Sequence, residues 1–203
     1  MGKIIGISLN EVLRGFISQF QYTYNKYIGE MNLKYDEINN FNLIEFFKFK
    51  NIDEMNKFLY QEAALETFGH ADQLHDGLMN KFNNFIMDIE DDGEHEIKII
   101  SREAASSIPS TLFFLSKTGC KATDIKFVTK HEDKWKHVDI LITANPKTLE
   151  AKPSDKISVK INAPYNKDVK ADFELDNILD LIKDKPLQEK IFNTTITTYE
   201  EIN

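Results

Sequence analysis

Three residues able to do chemistry, Ser8, Asn10 and Glu11, follow one another at the end of an apolar run in "KIIGISLNEVLRGF", residues 3–16. A short, β-branched apolar run is the pattern of a strand buried on both faces. The carboxyl end of such a strand is where doubly wound proteins bind their ligands. A hydroxyl placed there becomes a nucleophile once a base takes its proton, and a carboxylate can attack or hold a hard cation. No histidine lies near Ser8 in sequence, and Glu11 is the one carboxylate close by.

Two other groupings have metal-like spacing. In "GHADQLHDG", a helix would place Asp72, His75 and Asp76 on one face beside His70, a spacing that can hold a metal. The plainer reading is a polar helix face with a capping aspartate. "DIEDDGEHE" offers Asp88, Glu90, Asp92 and Gly93 in the manner of a calcium loop, but its twelfth position is Ile99 rather than the bidentate glutamate such a loop needs. A solvated turn is therefore expected at residues 88–96.

The elements that must position these groups follow from periodicity. Strands are expected at residues 4–9, 97–101, 124–129, 138–143 and 156–161. Helices are expected at 11–31, 36–49, 53–68, 71–87, from about 102 to Gly119 with Pro109 near its start, and 172–182. Strands separated by helices indicate a doubly wound parallel α/β sheet of about five strands. The helical stretch after the first strand is too long for a crossover and reads as an inserted all-helical cap. The expected division is a core of residues 1–31 and 88–203, a cap of 32–87, and a C-terminal tail of 185–203. "NTTITTYEEIN" in that tail has the alternation of an edge strand.

With 203 residues, 41% hydrophobic and 29% charged, the chain can bury a core without staples. The single cysteine, Cys120, allows no internal disulfide. A net charge of -8 argues against broad nucleic-acid binding. No apolar run reaches a membrane span, and no secretory or lipidation signal is expected. The aromatic-rich segments of the cap suggest core, with some surface left for a partner. Trp135, between Lys134 and Lys136, is expected at a rim.

The strand ends "ISLN", "IISRE", "FVTKHEDK" and "DILITANP", with "TANPKTLEAKP" and "APYN", resemble those of the haloacid dehalogenase-like phosphatases. The likeness is to the small 5′-nucleotidase branch, and closer still to divergent versions encoded by tailed bacteriophages. It is strongest over residues 97–166. The resemblance implies a Rossmann-like core and a metal-dependent aspartyl nucleophile. It places the nucleophile at Ser8, the acid/base at Asn10, and the metal-binding acids at Thr143 and Ala144. Phosphate-holding positions fall on Ser101, Arg102 and Lys134, with Lys130 and Lys136 as alternatives to the last.

Every carboxylate the chemistry needs is thus replaced, so no metal is expected and Glu11 is the only candidate for rescue. Ser101 has two open roles, holding a phosphate or capping the helix that follows. The expectation is a catalytically inactive domain acting through a protein partner or as a homo-oligomer. Its place would be the host cytoplasm or a virion. Two alternatives stay open: a Mg²⁺-dependent nucleotidase with rearranged ligands, and a non-catalytic phosphate- or nucleotide-binding protein.

Overall fold

The computed structural model describes residues 2–195. Six parallel strands form one sheet in the order β3-β2-β1-β4-β5-β6: β1 Ile4–Ile7, β2 Glu96–Arg102, β3 Ile125–Val128, β4 Ile140–Thr143, β5 Ile157–Ile161 and β6 Phe173–Leu175. Ile5 of β1 pairs with Ile97 on one side and Ile140 on the other. The strand order reverses at β1, which makes the mouth between β1 and β4 the topological switch point.

Alternation assigns side chains to the two faces. Ile5, Ile7, Ile99, Ile142 and Val159 enter the larger core, which they share with helices α1 (Phe16–Tyr27), α3 (Leu78–Asp92), α6 (Ile178–Lys183) and α7 (Lys185–Phe192). Ile100, Val128, Val138 and Leu141 form a smaller cluster with Trp135 on the other face. Trp135 is therefore buried rather than on a rim, and its indole N–H donates to Thr148 O at 2.8 Å. Gly6 is required here: a β-carbon would lie 2.6 Å from Val138 Cγ1 and 3.0 Å from Leu141 Cδ1.

Between β1 and β2, helix is less extensive than periodicity predicts. The expected helix at 36–49 is two 3₁₀ turns, Tyr35–Glu37 and Leu43–Glu45. Its Asn-rich middle prefers local bonds: Asn42 N donates to Asn40 Oδ1, and Asn40 and Asn42 both donate to Glu45. Such side-chain bonds compete with a helical ladder. Helix α2 (Ile52–Lys57) continues into π-helical turns at Phe58–Glu62 and Leu65–Gly69. Phenylalanines hold this region to α1, with Phe20 stacked on Phe47 at 4.1 Å and Phe16 on Phe68 at 5.5 Å.

Helix α3 starts late and ends late. Residues 71–74 lie alongside the loop after β1, through Gly15 N to Asp72 O and Leu74 N to Leu13 O. Gly77, at φ +68°, then turns the chain into α3. At the other end α3 runs through Asp92 to Gly93, so the expected turn at 88–92 is helix.

The predicted helix at 172–182 is divided. Asp172 receives both the amide and the hydroxyl of Ser158, which docks β6 against β5 before α6 begins. Helices α4 (Ser107–Lys117) and α5 (Pro146–Glu150) complete the structure. No described helix is long and apolar enough to cross a membrane. Of the tail, residues 185–192 are α7. The edge-strand expectation rests on residues 193–203, of which 196–203 lie outside the described residues.

Candidate functional site at the strand ends

The switch point brings Ser8 and Lys134 together. Ser8 follows β1, and its amide donates to Ile142 O at 3.0 Å. Lys134 sits on a 3₁₀ turn, Glu132–His137, after β3, and its Nζ donates to Ser8 Oγ at 3.0 Å. Both are buried, at 3% and 4% exposure. Desolvation pulls the Lys134 ammonium down to about 8; Arg102 adds to the effect and Glu103 opposes it. Of the three candidate lysines, this is the one in the site. Lys136 instead pairs with Asp133 at 2.6 Å on the surface, and Lys130 is exposed.

Asn10 faces a residue the sequence reading missed. Arg14 is fully buried, and its Nε and Nη2 both donate to Asn10 Oδ1, at 2.8 and 2.6 Å. Its guanidinium also reaches Glu103 Oε1 (3.2 Å), Thr111 Oγ1 (2.8 Å) and Phe68 O (3.3 Å). The rings of Phe68 and Phe114 lie 5.0 and 5.4 Å from it. Burial lowers the Arg14 pKa while Glu103 raises it. A charge inside the apolar run "VLRGF" was the available signal, since a buried arginine must find a partner. Glu103 was equally readable: it stands two residues after Ser101 and so on the same side of an extended chain.

Ser101 joins this network, donating to Glu103 Oε1 at 2.9 Å. It does not cap a helix: α4 begins at Ser107, and Ala104 and Ala105 intervene, the latter at φ +47°. Arg102 turns away from Ser101. Its Nη1 donates to Tyr60 OH at 2.7 Å and its Nε to Thr129 O at 3.2 Å.

Thr143 and Ala144 close the far side. Thr143 is fully buried, and its Oγ1 accepts from Asn145 N at 3.2 Å. Asn145 caps α5 by accepting from Thr148 N. Ala144 O is tied to Asn166, whose side chain also bonds Ile161 O and Ala163 N. "TANP" and "APYN" thus form one hydrogen-bonded unit.

Glu11 is not free to swing into the site. It adopts φ +56°, and its Oε1 accepts from Ile17 N at 2.8 Å at the start of α1. Burial raises its pKa against the lowering effect of Ile17, Tyr35 and Phe16 as hydrogen-bond donors. The His70–Asp76 grouping also dissolves, because residues 70–76 are not helical and have no common face.

Does the donor set suit a divalent cation? Ser8 Oγ, Asn10 Oδ1 and Thr143 Oγ1 are neutral, and each already accepts a hydrogen bond. Two buried basic side chains, Lys134 and Arg14, are the donors at Ser8 Oγ and Asn10 Oδ1. A hard cation seeks carboxylates and water, so these residues do not fit Mg²⁺.

No protein-family model matches the chain, and no curated protein sequence matches it. Solved structures do. A haloacid dehalogenase-like hydrolase from Bacteroides fragilis superimposes with a TM-score of 0.57 at 14% identity, over 89% of this chain and 100% of its own. One from Burkholderia xenovorans gives 0.56 at 9% identity, covering 92% and 98%. One from Streptococcus pneumoniae gives 0.55 at 8% identity, covering 90% and 97%. With its six parallel strands, its helical insertion after β1 and its switch point at Ser8, the chain has the Rossmann-like fold of the haloacid dehalogenase-like hydrolases.

Proposed function

We propose that this protein is a haloacid dehalogenase-like domain that has lost metal-dependent phosphoryl transfer and works by binding. Its role is that of a protein-interaction or virion-associated component encoded by a tailed bacteriophage. The observation that carries the loss of catalysis is Arg14: its guanidinium occupies the Asn10 oxygen at the acid/base position and is neutralised by Glu103. A site that supplies its own cation at that oxygen has no use for a divalent metal. Binding is supported by an apolar outer surface, where Leu65, Leu112 and Phe113 are 44–50% exposed. The phage origin rests on the likeness of the strand-end motifs.

A second reading, anion binding without turnover, is favoured by one specific feature. Burial, joined by the charges of Lys134, Arg102 and Lys147, pulls the His131 imidazole down to about 3. Three cationic side chains thus act on one imidazole near the strand ends of a chain whose net charge is -8.

The test is a set of thermal melts with Mg²⁺, a nucleoside monophosphate panel, and both together, beside a phosphatase assay. Any ligand of the native state raises the midpoint by mass action. No shift and no turnover are expected. A Mg²⁺-dependent shift with phosphate release would overturn the proposal, and a nucleotide shift indifferent to Mg²⁺ would select the second reading.

A further inference from the structure

The proposal above removes only metal-dependent phosphoryl transfer, in which a metal neutralises a charged substrate, and leaves other chemistry at Ser8 open. A carbonyl centre carries no charge and needs no metal. We propose that Ser8 and Lys134 form a nucleophile–base pair for acyl transfer, with Ser8 Oγ accepting the acyl group of a small uncharged ester.

The geometry supports each role. Ser8 lies at the switch point, where a bound ligand meets the ends of β1 and β4. Lys134 Nζ is 3.0 Å from its hydroxyl, within reach for direct proton transfer. Lysine serves as the base to serine in known variants of the hydrolytic triad. Among the described residues Lys134 forms no salt bridge, unlike buried Lys160, which pairs with Glu174. Glu103 and Arg102 are the charged groups that act on it, in opposite senses, and burial favours its neutral form. The amides of Leu9 and Asn10, next along the chain, make no hydrogen bond to the described residues. They are the donors closest in sequence to an oxyanion formed on Ser8.

The step balances without a cofactor. Neutral Lys134 takes the Ser8 proton as the Oγ–carbon bond forms, and the carbonyl π electrons move onto oxygen. Collapse of that oxyanion breaks the carbon–oxygen bond to the leaving alkoxide. The alkoxide recovers the proton from the Lys134 ammonium, leaving O-acyl Ser8 and a free alcohol. Ser8 and Lys134 are 3% and 4% exposed, so the acyl group to test is a small one, acetyl.

p-Nitrophenyl acetate is the probe, with acid quench, intact-protein mass and peptide mapping. The expected result is one acetyl group at Ser8 and a stoichiometric burst of nitrophenolate. Its rate should rise about tenfold between pH 7 and pH 9. Ser8→Ala should abolish that adduct. Lys134→Met and Lys134→Arg, shown to melt cooperatively, should slow it at least tenfold and flatten the pH profile. Adducts confined to surface amines, or Ser8 acetylation of undiminished rate in both Lys134 variants, would overturn the proposal. Ser8→Cys with iodoacetamide reports access. Alkylation at that position without acetylation of the wild type refutes the pair, and so does the absence of any modification at position 8 in either protein.

Discussion

Arg14 Nη2 lies 3.2 Å from Glu103 Oε1, and neither side chain has any exposed surface. The two residues come from the loop after β1 and the end of β2, and the Arg14 guanidinium also reaches the Phe68 carbonyl in the segment between those strands. One cation therefore ties together the loop after β1, the segment that follows β2 and the stretch of chain between those strands.

Removing Arg14 should be costly for a specific reason. Arg14→Met strands a buried carboxylate, and loss of one partner of a buried pair costs about 3–5 kcal/mol. The double variant Arg14→Met/Glu103→Leu removes both charges and should recover a large part of that loss. Urea denaturation of the two singles and the double measures the coupling. Additive losses would show that Arg14 acts through packing on Phe68 and Phe114 alone.

Lys134 makes stability depend on alkaline pH. Its pKa falls from 10.5 in the unfolded chain to about 8 in the folded one, so between these values the unfolded state binds more protons. Stability contributed by this residue therefore rises as pH increases from about 8 to 10.5, by about 3 kcal/mol in total. Compared with Lys134→Met, the wild type should gain on the variant over that window. A constant difference from pH 7 to 10.5 would contradict the depressed value.

Asn166 should be irreplaceable by an isostere lacking its amide. Its side chain satisfies Ala144 O, Ile161 O and Ala163 N at 2.9, 2.9 and 3.0 Å, all buried. Asn166→Leu orphans two acceptors and a donor, each worth about 1–3 kcal/mol when left unmade. A loss of at least about 3 kcal/mol is expected in chemical denaturation, and a loss below about 1 kcal/mol would mean that water replaces the amide.

Gly6 tests packing between the strands. Gly6→Ala puts a methyl 2.6 Å from Val138 Cγ1, an overpacking worth about 1–3 kcal/mol. Val138→Ala in the same chain should restore part of the loss, so that the double variant melts above the sum of its singles.

The sheet was legible because each central strand is a short apolar run closed by a polar residue, a pattern few alternatives share. β6 was not, since "DFELDNILDLI" has helical spacing throughout, and it is the docking of Asp172 on Ser158 that draws its first residues onto the sheet edge. The Asn-rich stretch at residues 39–42 misled for a related reason: its apolar neighbours recur at helical intervals while its amides bond locally. At the site, Ser8, Asn10 and Thr143 could be placed from their strand ends. Arg14 and Glu103 are 89 residues apart, and nothing short-range in either neighbourhood names the other.

The position of β1 has a consequence for synthesis. It leaves the ribosome before both of its neighbours, which begin at Glu96 and Ile140, so Ile5 waits 135 residues for its pairing with Ile140. At ribosomal speeds this is on the order of ten seconds, with both edges of β1 unpaired until β2 is made and one edge unpaired until β4 follows. The nascent chain is thus most vulnerable to misassociation before β4 is made, because only then does β1 gain its second neighbour. Slowing translation should lower the yield of folded protein, and chaperones that hold short apolar segments should raise it.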